Sequence, residues 1–494
     1  MRPRILEVTS LLLHTVRHLR MTQLFHQVKY RLVKPAYVAL EAPGVWCLRL
    51  KVAPVPRYRC LEGERFSFLN LQHEFAGWDF NGYGNLWTYN QNYFDWLNQE
   101  GMGMEEGCRW IDRFVGDLPT GGFAFDPYPI ALRSINWIKF FCRYPECATK
   151  ERLDPLYSQL RLLERKLEYH LLANHLLEDA FALYVGAVYF GDMRLQRKAC
   201  RLLLRQLGEQ ILPDGAHFEQ SAMYHCILLD RLLDCINIGG PGETALREFA
   251  ARMLGHLESV MWRDGSIPLL NDAAYGIAPT PAELFGYAGR LGIGWDAVAM
   301  RECGYRRLRA GRLEAIVDVG NIAAAYQPGH THADSLTYEL RMDGKPVVVD
   351  TGISTYNKDA RRQVERSSAA HNVVVVGGKD SSEVWGGFRV GRRAKVEILR
   401  CASNEIVASH DGFGKACRRR FALTETAFDV EDWYDGEAVS YVHLAAGVAP
   451  DRVVVEGAES VRVLPWKYST EYNRFHDGKV VEIRFKGHVR YSIV

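Results

Sequence analysis

The chain has no CxxC pair, no apolar run near the roughly 18 residues that cross a bilayer, and almost no net charge. Each absence removes a class of protein. Eleven cysteines, an odd number scattered from Cys47 to Cys417, exclude zinc ribbons and thioredoxin-like motifs and suit a reduced compartment better than a disulfide framework. With 61 Lys+Arg against 59 Asp+Glu the net charge is +2, so no global field argues for nucleic acid as a partner. The first residues, MRPRILEVTSLLLHTVRHLRMTQ, are basic, but Glu7, His14 and His18 interrupt the apolar piece and no small-x-small cleavage site follows. They read as an amphipathic helix rather than a secretion signal. The expectation is a cytoplasmic protein with no transmembrane segment. Peripheral contact of a basic first helix, Arg2 to Arg20, with an anionic membrane surface and a periplasmic location both stay open.

What is present is enough chain for two to four domains, 494 residues at roughly 150 per domain, with a change of periodicity inside it. Leu156, Leu160, Leu163, Leu167 and Leu171 recur at spacings of three and four, and helical runs follow over 180–190, 221–238, 244–262 and 280–291. Pro-Asp-Gly, Gly-Gly-Pro-Gly and Arg-Asp-Gly punctuate the joints. Runs of helical hairpins stack as a solenoid or close into a toroid. From about Leu313 short strands take over, beginning with a hairpin of 336–342 and 346–350 about Asp343-Gly344. Further strands are expected at 372–376, 395–399, 406–409, 418–427, 452–455, 460–464, 480–485 and 489–494, a pattern that suits a β-sandwich. The division is a helical arm over 1–60, an (α/α) domain over 61–306 and an antiparallel β-sandwich over 307–494, with the linker near Gly304 to Gly311.

Four polar clusters stand out. Asn174 and His175 precede Glu178 at the junction of two helical runs; if helical, His175 and Glu178 share a face, and the plain alternative is a capping cluster. In DGAHFEQSAMYH a loop enters a helix through Ser221, which puts Tyr224 in the first turn, where a tyrosine is ordinarily a half-buried packing residue. In GHTHADS, His332 joins Asp350 and His371 as N and O donors at element ends, a set that suits zinc, although HxH pairs are common on solvated loops. His330 is then free for proton transfer. Last, WTYNQNYFDW and DPYPIALRSINWIKF place Asn92, Arg133 and Asn136 among aromatic rings, a composition that suits sugars and carboxylates and also suits a core.

Together WTYNQNYFDW, DPYPIALRSINWIKF, NHLLE, DGAHFEQSAMYH, GHTHADSLTYEL with DTG, and SSAAHNVVVV resemble the heparinase II/III superfamily of polysaccharide lyases over roughly residues 65–400. The resemblance implies an (α/α) toroid followed by an antiparallel β-sandwich. It implies Asn174 and His175 facing the substrate, Glu178 orienting them, Tyr224 as acid or base, His330 at the active site, and a structural zinc on His332, Asp350 and His371, with no organic cofactor. The implied reaction is β-elimination: loss of the C5 proton of a uronic acid and of the C4 oxygen. Asn174 and His175 would stabilise the carboxylate as charge develops, and Tyr224 or His330 would move the proton. Arg133 would meet a substrate carboxylate, with Asn92 and Asn136 near sugar hydroxyls. The partner is then an acidic polysaccharide or oligosaccharide, and a homodimer is compatible with the sequence. The short chain resembles members that accompany bacterial surface-polysaccharide synthesis, which favours a capsule, exopolysaccharide or O-antigen uronate. A uronate C5-epimerase, or a glycan-binding protein without turnover, is the alternative.

Overall fold

The computed structural model describes residues 5–118 and 122–494. Of the expected first helix, Arg2–Arg4 lie outside the described residues; the remainder forms α1 (Ile5–Val16), followed by α2 (Met21–Leu32) and an extended segment. After a small three-stranded sheet over 61–74 come α3 (Asn85–Tyr93), α4 (Met104–Gly116), α5 (Pro127–Arg143), α6 (Lys150–Arg165), α7 (Ala173–Tyr189), α8 (Met193–Gln210), α9 (Ala222–Ile238), α10 (Glu243–Val260) and α11 (Pro281–Arg290). The odd-numbered helices from α3 on touch each other in sequence and form the inner ring, and α4, α6, α8 and α10 pack outside them. The sequence explains the difference in layer. Nearly every side chain of α7 is buried, whereas α8 keeps its buried residues on one stripe and turns its arginines outward.

The β-domain is a curled, entirely antiparallel assembly whose spine is two long strands, Phe428–Leu444 and Arg474–Ile493, paired from Phe428↔Ile493 to Leu444↔Lys479. The expected hairpin is present as Tyr338–Met342 and Lys345–Val348, with Asp343 (φ 53°) and Gly344 (φ 76°) both left-handed as its tight turn requires. Two expectations need correction. The strands foreseen at 480–485 and 489–494 are one continuous strand, and its partner 428–444 was not foreseen at all. The linker does not lie at 304–311, because Tyr305–Ala310 is the first strand of the sheet, paired with Leu313–Asp318; Tyr305 packs in the toroid core and Leu308 in the sandwich core, between arginines that made the stretch look like a loop. The connection is 291–304 instead. Asp214 pins it, its Oδ2 accepting the N–H groups of Arg301, Glu302 and Cys303 at 2.9, 2.8 and 3.0 Å. His256 and Cys303 lie close enough to Asp214 to form a three-donor cluster, but those amides already occupy the carboxylate.

Candidate active site

The N-termini of the inner helices α7 and α9 open toward the sandwich, and loops from both domains converge there. Ser221 caps α9, its Oγ accepting the N–H of Tyr224 and donating to the carbonyl of Asp272 at 2.6 Å. Asn271 ties three loops together: Nδ2 donates to the Gln220 carbonyl at 3.0 Å, and Oδ1 accepts the His332 N–H at 3.1 Å. Leu172, Ala173, Gln220 and Asn271 all have left-handed backbones, φ 64°, 51°, 53° and 58°. None is glycine, so each costs about 1–2 kcal/mol. All four lie within two residues of a side chain described next, which is where strain collects when surrounding structure must fix a functional group.

At the seam the Tyr224 and His330 rings lie 3.9 Å apart, centroid to centroid. His330 Nδ1 donates to Asp272 Oδ2 at 2.9 Å, while its Nε2 accepts from Asn174 Nδ2 at 3.4 Å. That tautomer leaves Nε2 with the lone pair. Tyr356 bridges the two, its hydroxyl 3.2 Å from the Tyr224 hydroxyl and 3.2 Å from His330 Nδ1. Burial pushes the Tyr224 phenol well above its ordinary value, so the proton is held. Asp272 is fully buried. Burial works against its ionisation, yet Arg362, which grips both oxygens, and the His330 and His332 imidazoles hold its carboxyl well below the usual range.

Asn174 is fastened by Glu219, which accepts its backbone N–H at 3.1 Å and its amide at 3.0 and 2.9 Å. His175 is partly exposed and donates Nδ1–H to Glu168 at 3.0 Å. Burial opposes protonation of His175, and the Glu168 carboxylate more than offsets it, raising the imidazole above its ordinary value. The orienting carboxylate of His175 is therefore Glu168. Glu178, given that role from the sequence, is buried beneath with both oxygens unpartnered, its nearest cation Arg231 at 3.8 Å.

A cavity of about 310 Å³ runs from Tyr224 and Tyr356 along the toroid, walled by Tyr58, Tyr93, Tyr128 and Tyr472. Its cations are all paired with carboxylates: Arg57 with Asp95 at 2.9 Å, Lys139 with Asp234 at 2.9 Å, and Arg231 with Asp230 at 2.9 Å. Asn136 reaches this wall, although Nδ2 donates to the Tyr93 carbonyl and Oδ1 accepts from Asn98. Asn92 and Arg133 do not line it. Asn92 is fully buried and donates to the carbonyls of Trp78 and Thr88. Arg133 donates to Gln159, Asn92 and Ala124, and burial pushes it down to about 9. The substrate contacts expected of these two are corrected to packing contacts: both side chains are fully buried, and their hydrogen bonds go to the Gln159 side chain and to carbonyls of the toroid rather than into the cavity.

His332, Asp350 and His371 do meet, each offering a donor atom within 4.8 Å of the others. His332 Nε2 is engaged with Asp272 and His371 Nδ1 with Asp350, which leaves His332 Nδ1 and His371 Nε2 buried and unpartnered. Burial pushes His332 down to about 4, so its ring is neutral. Two orphaned imidazole nitrogens beside a carboxylate fit a borderline cation such as zinc. Sequence reasoning missed Glu168, Glu219, Asp272, Tyr356 and Arg362. Glu219 lay within a quoted motif; Glu168, Asp272 and Tyr356 are single residues on loops and Arg362 stands on the short helix Ala360–Glu365, and their approach depends on how these segments pack.

A helical toroid capped by an antiparallel sandwich, with a tyrosine–histidine pair at their seam, defines the class of two-domain toroid–sandwich proteins. The chain belongs to the heparinase II/III superfamily: residues 153–275 match the heparinase II/III N-terminus model and 292–490 the heparinase II/III-like C-terminal model. A solved heparinase III gene product is similar in fold, with a TM-score of 0.60 at 16% identity over 84% of this chain and 80% of that one. A second heparinase III gives 0.60 at 14% over 83% and 76%. The heparan sulfate lyase of Pedobacter heparinus gives 0.53 at 14% over 95% and 87%. No curated protein matches the sequence.

Proposed function

We propose that this protein is a polysaccharide lyase that cleaves a uronic-acid-containing glycan by β-elimination. The observation that carries the reading is the close, tilted Tyr224–His330 pair bridged by Tyr356, because it sets the imidazole Nε2 lone pair beside a held phenolic proton where Tyr224 ends the cleft. In this mechanism His330 Nε2 takes the C5 proton, with Asp272 holding the ring and stabilising the imidazolium. Tyr224 gives its proton to the departing C4 oxygen. Exchange with solvent then removes the proton from His330 Nε2 and restores that of Tyr224, so acid and base end as they began, while Tyr356, hydrogen-bonded to Tyr224 and 3.2 Å from His330 Nδ1, holds the two rings in register. In this reading Asn174 and His175, whose imidazole the Glu168 carboxylate raises above its ordinary value, are assigned to the substrate carboxylate, where charge develops.

Two features bear on the substrate. Six tyrosines offer faces for pyranose rings, and every cation of the wall is already neutralised by a carboxylate. This supports a sparsely charged surface-type uronate glycan over a densely sulfated one. Zinc belongs to the same reading: His332, Asp350 and His371 would hold it, and when bound it supplies a fixed positive charge that ties the His330 loop to the sheet. About one ion per chain is expected by elemental analysis, lost in His371→Ala.

The test is ultraviolet absorbance of 4,5-unsaturated uronate, with wild type and Tyr224→Phe incubated against heparan sulfate, hyaluronan, alginate and bacterial uronate polysaccharides. Wild type should generate the chromophore and Tyr224→Phe should be slower by about 10²–10⁴-fold. Equal rates would remove Tyr224 from the chemistry. Exchange of the C5 hydrogen with deuterated solvent without unsaturated product would replace the lyase by an epimerase.

A further inference from the structure

The helix α2 is amphipathic the wrong way round for a helix that belongs only to this chain. Its polar side chains make the attachment: Gln23 donates to the carbonyls of Leu171 and Tyr326 at 3.2 and 3.1 Å, Tyr30 donates to the Leu167 carbonyl, and the His26 ring lies 4.8 Å from that of Tyr169. The opposite face is an apolar stripe, Met21, Phe25, Val28 and Leu32, spaced four, three and four and exposed by 78, 64, 56 and 79%. Leu12, Leu13 and Val16 of α1 add further exposed apolar surface beside it in sequence. Single exposed apolar residues need no explanation, but a continuous stripe on one helix does.

The charge around the stripe identifies what covers it. Lys29 and Arg31 flank it, one on each side, on a helix of 3.6 residues per turn, and neither forms an ion pair among the described residues. Residues 1–34 carry seven Lys/Arg and one acid, Glu7, a net +6, so the rest of the chain carries −4 of the total +2. Arg20 is held by Glu209; Arg17, Lys29, Arg31 and Lys34 form no ion pair among the described residues. A second copy packed stripe to stripe would bring Lys29 and Arg31 of both chains to one rim, and α2, MTQLFHQVKYRL, has no carboxylate to answer them. An anionic bilayer surface supplies both missing partners: acyl chains for the stripe and headgroup charge for the flanks.

From this geometry we infer that α2 is an interfacial anchor that lays the protein on an anionic lipid surface. No helix of the described residues is long and apolar enough to cross a membrane, so the attachment is parallel to the surface and reversible. The proposal does not depend on the reaction catalysed.

The experiment is co-sedimentation of the full-length protein with phosphatidylcholine vesicles and with phosphatidylcholine–phosphatidylglycerol vesicles. Binding is expected to the anionic vesicles and to fall as salt is raised. Phe25→Glu should lower it by about tenfold or more, and the Lys29→Glu, Arg31→Glu double variant comparably, with thermal unfolding unchanged because these side chains support no interior contact. No binding by wild type to anionic vesicles, or equal binding by Phe25→Glu, would overturn the proposal. So would a concentration-dependent dimer in sedimentation velocity that Phe25→Glu dissolves while vesicles stay bare, which would make the stripe a contact between copies of this chain.

Discussion

Along α3 and α5 the polar side chains Asn92 and Arg133 sit among Trp78, Phe94, Phe114 and Trp137, and they spend their protons on main-chain carbonyls. At the seam between toroid and sandwich, buried and half-buried polar groups bond to one another instead: Asn174 to Glu219, His330 to Asp272, Tyr224 to Tyr356. Burial alone does not tell the two apart. In the first region each polar group has a partner from its own domain, and removal of the group leaves an unsatisfied core. In the second the partners come from different loops and different domains, and what they fix is a lone pair and a proton. A polar residue in an aromatic helical setting is thus a packing device more often than a ligand, and the sequence reading of Arg133 failed on that point.

The largest effect that sharpens this comparison is expected at Asp272. Asp272→Asn keeps the shape but removes the charge that orients His330 Nδ1–H, and turnover of the folded enzyme should drop by about 10³–10⁴-fold, as when a triad carboxylate is lost. Stability should also fall by about 3–5 kcal/mol, because Arg362 is left buried without its counter-charge. Calorimetry beside the unsaturated-product assay separates the two; full turnover in the variant would break the assigned role. The counterpart in the core is Arg133→Met, which strips donors from three acceptors and should cost about 3–4 kcal/mol while turnover of the folded fraction stays within about twofold. Lost activity at unchanged melting temperature would return Arg133 to the substrate.

The sequence showed the two domains through their periods, and the Ser221 entry into α9 placed Tyr224 in its first turn as found. It did not show the strand over 428–444, although Phe428, Val430 and Asp432 alternate with outward residues through it. Acidic residues at successive outward positions, and Gly436 at the register shift, made it look like a loop. The meeting of His332, Asp350 and His371 was readable because the three stand at strand or loop ends beside short motifs. Asp272 was not: it lies in Leu-Asn-Asp-Ala-Ala, a stretch without periodicity, and its partners His330, His332 and Arg362 are 58, 60 and 90 residues away. Glu168 escaped for a related reason, since its bond to His175 depends on the left-handed turn at Leu172 and Ala173, which no residue type announces.

Glu178 belongs to both regions, which makes it the finest test. It stands on α7 one turn from His175, yet its carboxylate is wholly buried among Arg231, Asp230, Asp234 and Lys139, three carboxylates to two cations. Burial pushes its carboxyl up to about 7, against the pull of Arg231. An unfolded glutamate titrates near about 4.3, so between these values the native state binds a proton that the unfolded state has lost. The stability that Glu178 contributes therefore declines as pH rises through that window and levels off above about pH 7. Glu178→Gln removes the titration. Urea unfolding at pH 5 and pH 8 should show the variant losing less stability than wild type over that interval, by about 2–3 kcal/mol. The difference between the two proteins is the relevant quantity, because Asp230 and Glu339, pushed up by burial to about 6 and about 7, add a dependence common to both. Equal slopes would mean that Arg231 keeps Glu178 ionised throughout, and would move this residue from the packed core to the charged wall of the cleft.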